Sequence, residues 1–80
     1  MVCFKIVLHR SADAEFRAVP FPFRRQLNQR IIRLKEEPRP ADAELVTEGE
    51  KYSLQIHGWR VLYGIDDEER LITIWAVLKD

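Results

Sequence analysis

The stretch Lys51-Tyr52-Ser53-Leu54-Gln55-Ile56-His57-Gly58-Trp59-Arg60-Val61-Leu62-Tyr63-Gly64-Ile65-Asp66 decides how this chain folds. It reads as two short strands, Lys51–His57 and Trp59–Asp66, joined by a tight turn at His57-Gly58. Pairing Ile56 with Trp59 sets Leu54 opposite Val61 and Tyr52 opposite Tyr63, so one face is wholly apolar. The other face carries Ser53, Gln55, Arg60 and Leu62. A slip of one residue would mix the two faces, so the register is well specified. Arg60 then projects from the open face of a small sheet. Its planar guanidinium can hold two oxygens of a phosphate, or it can pair with a neighbouring carboxylate.

Working outward, Val2–Leu8 is apolar at nearly every position and rich in β-branched residues, which predicts a strand buried on most of both faces. Ser11 can cap a short helix through Val19, with Asp13 and Glu15 in its first turn and Ala12, Phe16 and Val19 as its apolar stripe. Pro20 and Pro22 end it, and Pro22 opens a second helix over 22–36. Phe23, Leu27, Ile31 and Leu34 form the core face of that helix, and Glu36-Glu37-Pro38 closes it. Glu44–Thr47 is a candidate edge strand, and Asp67–Glu69 an exposed acidic turn. Arg70–Leu78, apolar on both faces, is a central strand. The order of elements gives an α+β fold: a strand, a two-helix hairpin, then a three- to four-stranded antiparallel sheet with the helices on one face.

Eighty residues make one domain, spanning 1–80. A chain of this size buries only about 60–65% of its unfolded surface, so chemistry belongs on a surface or in a shallow cleft. Thirteen basic residues balance thirteen acidic ones, which removes the simplest argument for nucleic-acid binding. The basic bias is local, because five of the nine arginines fall between Arg24 and Arg39. Placed at helical spacing, Arg24, Arg25, Arg30 and Arg33 spread round the cylinder rather than forming one stripe, while Ile32 falls opposite the core face.

Cys3, the single cysteine, reads as a small buried or half-buried hydrophobe and excludes an intrachain disulfide. No Cys or His pair stands at metal-ligand spacing, the run Asp66–Glu69 lacks calcium-loop spacing, and there is no glycine-rich phosphate loop, so no metal or cofactor is expected. With no signal-peptide pattern and no long apolar run, the chain reads as cytoplasmic and without a membrane partner. His57, at the hairpin tip, is a candidate general base, or simply a solvated turn residue.

The strand, the two helices closed by a proline, and then Tyr-x-Leu-x-Ile followed by Gly58-Trp59-Arg60-Val61-Leu62-Tyr63-x-Ile-Asp-Asp resemble the RelE/ParE superfamily of toxins from toxin–antitoxin modules. The acidic turn and Ile72–Val77 extend the likeness over essentially the whole chain. The resemblance implies a small toxin neutralised by a cognate antitoxin protein. RelE-like members act on the ribosome as endoribonucleases that cut mRNA, using basic residues that include an arginine at the Arg60 position. ParE-like members inhibit DNA gyrase by binding. By this resemblance Arg60 is a candidate catalytic residue; His57 joins it as the candidate base, and Lys51, Gln55, Lys79, Arg24 and Arg25 are the candidate RNA or phosphate contacts. The lysine positions on the strand before Arg60 fall on Ser53 and Gln55, neither of which supplies charge. The implied function is a ribosome-dependent mRNA endoribonuclease that inhibits translation. The alternative is a gyrase-inhibiting or antitoxin-binding module without catalysis.

Overall fold

A computed structural model describes residues 3–46 and 51–80. Five strands and two helices follow in the order β1 (Lys5–Leu8), α1 (Arg10–Ala18), α2 (Phe21–Arg33), β2 (Glu44–Val46), β3 (Lys51–Ile56), β4 (Trp59–Asp66) and β5 (Leu71–Lys79). The strands form one sheet in the order β1-β5-β4-β3-β2. β2 to β5 are antiparallel, as expected, and β1 adds a fifth strand running parallel to β5. Val2 and Thr47, the outer residues of two expected strands, lie outside the described residues.

The hairpin has the register that its alternation dictates: Ile56 opposite Trp59, Leu54 opposite Val61, Tyr52 opposite Tyr63, and Gln55 opposite Arg60. His57 and Gly58 both have positive φ, 49° and 85°, the geometry that lets a two-residue turn follow the strand twist. Leu54, Ile56, Val61, Tyr63, Ile65, Ile72, Ile74 and Val77 form the sheet side of one core, closed by Ala12 and Val19 of the α1 region and by Leu27, Ile31 and Leu34. Both helices therefore cover the same sheet face, and the other face is open.

β1 departs from expectation. Val7 and Leu8 are exposed, because the strand lies at the sheet edge with a neighbour on one side only. Cys3, just before it, is exposed as well, not buried. α1 starts one residue before Ser11, and the cap is His9, whose Nδ1 accepts from the Ser11 backbone N–H at 3.4 Å. α2 begins at Phe21, with Pro22 in its first turn. Its α-helical part ends at Arg33, and Leu34, Lys35 and Glu36 continue as tighter turns donating three residues back. Phe23 is 42% exposed, since the first turn of α2 runs past the core cluster.

The loop after α2 is tied down by one arginine. Arg39 donates from Nε to the Tyr52 hydroxyl at 2.8 Å and from both terminal nitrogens to the Asp67 carboxylate at 3.2 and 2.8 Å. These bonds hold Asp67 below the usual carboxylate range and raise Arg39 further above its own. Beneath them, the fully buried Tyr63 donates its hydroxyl to the Pro38 carbonyl at 2.8 Å, and burial pushes its pKa up to about 12.

Candidate functional site

Alternation along β3 and β4 delivers Ser53, Gln55 and Arg60 to the open face, where with Asp42 and Glu44 they line a small recess of about 110 Å³. The Arg60 guanidinium does not stand free. Its Nη2 donates to Asp80 Oδ1 at 3.1 Å, and Gln55 Nε2 donates to the other oxygen of the same carboxylate. Asp80 is fixed in turn by its backbone N–H, which donates to the Gly58 carbonyl at 2.8 Å. Arg60 Nε is buried and has no hydrogen-bond partner among the described residues. Asp42 is engaged elsewhere: Arg30 donates to it at 2.7 Å and holds its carboxyl below the usual range. The recess thus holds one arginine, two neutral polar side chains and a ring of carboxylates.

The other candidate residues do not converge on Arg60. His57 lines a groove with Gln26, Gln29, Arg30, Ile32 and Arg33 on the helix side of the sheet. A general base at His57 therefore faces away from the guanidinium. Lys79 pairs with Trp59 and shares the parity of the buried Val77, so it belongs to the helix-side face, whereas Leu78 pairs with Arg60. Arg24 donates to the Arg17 carbonyl at 3.2 Å and lies over the Phe21 ring, and Arg25 borders a groove beside Phe21 and Pro22. Both sit on the helix layer. Gln55 lies in the recess. Lys51 is on the open face, but opposite Gly64, four residues along the hairpin from the Gln55–Arg60 pair and about 13 Å away at the usual strand rise.

Two open-face residues escaped the sequence reading. Asp80, which occupies Arg60, joins it across twenty residues and gives no local signal. Trp75 reads as one more apolar residue of a central strand, yet it is the extra residue of a β-bulge: Leu62 pairs with Ala76 and Tyr63 with Ile74, which leaves Trp75 between them. The bulge is braced from α1, where Glu15 Oε1 accepts from the Val77 backbone N–H at 2.9 Å. Among the described residues, no group of three metal-ligating side chains forms, and no helix is long and apolar enough to cross a membrane.

No protein-family model matches the sequence, and no curated protein matches it. The architecture has close counterparts among solved structures. The intact E. coli RelBE toxin–antitoxin complex contains a chain that superposes with a TM-score of 0.87 at 23% identity, covering 96% of each chain. This is the RelE/ParE toxin fold. A chain of the RelBE2 toxin–antitoxin complex from Mycobacterium tuberculosis matches at a TM-score of 0.85 and 20% identity over 99% of this chain and 100% of that one. A YoeB/ParE toxin from Agrobacterium tumefaciens matches at 0.80 and 13% over 96% and 99%. The RelE/ParE fold accounts for the helices on one sheet face and for the open face on the other. It leaves the surroundings of Arg60 as a property of this sequence.

Proposed function

We propose that this chain is the toxin of a toxin–antitoxin pair, and that it acts on translation by contacting ribosome-bound messenger RNA through its open sheet face. The observation that carries the reading is Arg60: a guanidinium on the open face, with an Nε–H that meets no acceptor among the described residues and an Nη2 held by a carboxylate. A phosphate would replace the carboxylate at Nη2, and once the guanidinium turns outward from its buried position it would accept from Nε as well. The likeness to toxins solved in RelBE complexes supports an antitoxin protein as the neutralising partner.

In the cleavage reaction a 2′-hydroxyl attacks the adjacent phosphate. The bond to the 5′-oxygen of the next nucleotide breaks, leaving a 2′,3′-cyclic phosphate and a 5′-hydroxyl. Arg60 opposes the negative charge that builds on the phosphate oxygens, a contribution of about 100- to 1000-fold in rate for one well-placed donor. No imidazole or lysine of the described residues sits beside Arg60, so the chain supplies charge stabilisation and alignment. The ribosomal setting supplies the rest, which is the reading's reason for ribosome dependence.

The carboxylates of Asp42, Glu44 and Asp80 around the recess favour a second reading, a non-catalytic module that inhibits gyrase or only pairs with its antitoxin. A cell-free translation assay beside a gyrase supercoiling assay separates the two. Arrest of synthesis by the wild type that Arg60→Ala abolishes supports the translational toxin. Unimpaired translation with blocked supercoiling supports the gyrase inhibitor, and silence in both assays supports the antitoxin-binding module.

A further inference from the structure

The open face carries a second constellation, one not built around Arg60. Trp75 is 39% exposed, although its strand is central in the sheet. The bulge sets it apart from the regular alternation of β5, and its indole lies against Gly64 of β4. A Cβ on Gly64 would stand 3.0 Å from the indole Nε1, so any other residue there would press on the ring and make it give by a few tenths of an ångström. Lys51, directly opposite Gly64, holds its ammonium 5.3 Å from the indole centroid. The His9 imidazole approaches from the end of β1 with its centroid 5.2 Å away. Beside the indole is a slot of about 270 Å³ bordered by Lys51, Gly64, Asp66, Leu71 and Thr73.

We propose that Trp75, seated on Gly64 and accompanied by Lys51, is a stacking platform for one nucleobase of single-stranded RNA. The chemistry is complementary on both counts. The Lys51 ammonium lies over the indole in the free chain, and a base that takes its place on the π-face carries a phosphate for that ammonium to follow. Glu15 is the positioning residue, because its bond to the Val77 N–H holds the bulge that carries Trp75. Gly64 lies four residues along β4 from Arg60, about 13 Å at the usual strand rise, so one extended strand of RNA can reach both.

This inference rests on the open face being an RNA surface, and its test reads the platform separately from toxicity. The full chain, ¹⁵N-labelled, is titrated with a short single-stranded RNA while the two indole N–H resonances are followed, Trp59 on the helix side serving as internal control. The expected result is a saturable shift of the Trp75 resonance, with Trp59 nearly still. An abasic oligomer of the same length should fail to produce it. Trp75→Ala should weaken RNA binding about tenfold or more, and Trp75→Phe should keep most of the affinity. A Trp75 resonance unmoved at saturating RNA, or an abasic oligomer that shifts it equally, overturns the platform. Toxicity is scored apart: a Trp75 shift without any effect on translation keeps the platform and sinks the toxin reading. Arg60-dependent arrest with a silent Trp75 does the reverse.

Discussion

If a phosphate binds Arg60 as proposed, it competes with Asp80, so replacing Asp80 should strengthen anion binding at Arg60 rather than weaken the protein. The carboxylate accepts from Arg60 Nη2 at 3.1 Å and from Gln55, with side-chain exposures of 44% for Arg60 and 35% for Asp80. At that exposure the ion pair contributes no more than about 1 kcal/mol, after screening by solvent. Asp80→Asn keeps the size and the backbone bond to Gly58 and removes the charge, so the midpoint of urea unfolding should move little. A phosphate that binds Arg60 must first displace the carboxylate and then tolerate it nearby. Removing the charge returns that same energy to binding, up to about fivefold in affinity at 1.4 kcal/mol per decade, and the gain should shrink as salt rises. The assay is a titration with inorganic phosphate or a short RNA, followed at the Arg60 Nε–H resonance. Unchanged or weaker binding in Asp80→Asn would refute the competition and leave Asp80 as a structural partner of Arg60.

Further tests address the scaffold that presents the face. Tyr63 ionises only near pH 12 when folded but near its ordinary value of 10.0 when unfolded. The folded state therefore holds the proton longer, and stability is full below pH 10 and should fall by about 2 kcal/mol as pH rises toward 12. Tyr63→Phe should lose that alkaline limb and cost about 1 kcal/mol near neutrality, because the Pro38 carbonyl loses its donor. Glu15→Ala strands the Val77 N–H and should cost about 1–3 kcal/mol in urea unfolding and alter Trp75 fluorescence, while Glu15→Gln, which keeps the acceptor oxygen, should restore most of both. Asp67 is depressed by Arg39, so its share of stability is present above the ordinary carboxylate pKa and is lost as pH falls through the lower folded value. Arg39→Ala should flatten that acid limb in pH-dependent thermal unfolding.

The sequence makes the hairpin legible because period-two alternation and a Gly-containing turn specify the same register. Leu54 against Val61 and Gln55 against Arg60 follow from it directly. Strand position is less legible. β1 and β5 are both mostly apolar, but one lies at the edge and the other inside the sheet, and apolar content alone does not distinguish them. Leu27, Ile31 and Leu34 are found from helical spacing, while Phe23 has the same spacing and misses the core because the helix overshoots it. The site is harder still. That Arg60 reaches the open face is local information, but what it meets there is not: Asp80 arrives from the end of β5. The bulge at Trp75 is braced by Glu15, sixty-two residues from the Val77 N–H that it accepts from, and Gly64 is its one mark in the sequence, a glycine inside a strand. His57 belongs to the right hairpin and the wrong side, since the turn tip lies against α2.

The most direct measurement is the chemistry of the ends left on ribosome-bound message after incubation with the purified chain. If Arg60 stabilises an attack by the 2′-hydroxyl, wild type should leave 2′,3′-cyclic phosphate and 5′-hydroxyl ends within the ribosome-protected codon. Arg60→Ala should reduce them by at least about 100-fold, with no change in its unfolding midpoint larger than a surface substitution gives. Intact message with the wild type, or cleavage that Arg60→Ala leaves undiminished, would contradict the assignment of this face as a phosphate-directed RNA surface.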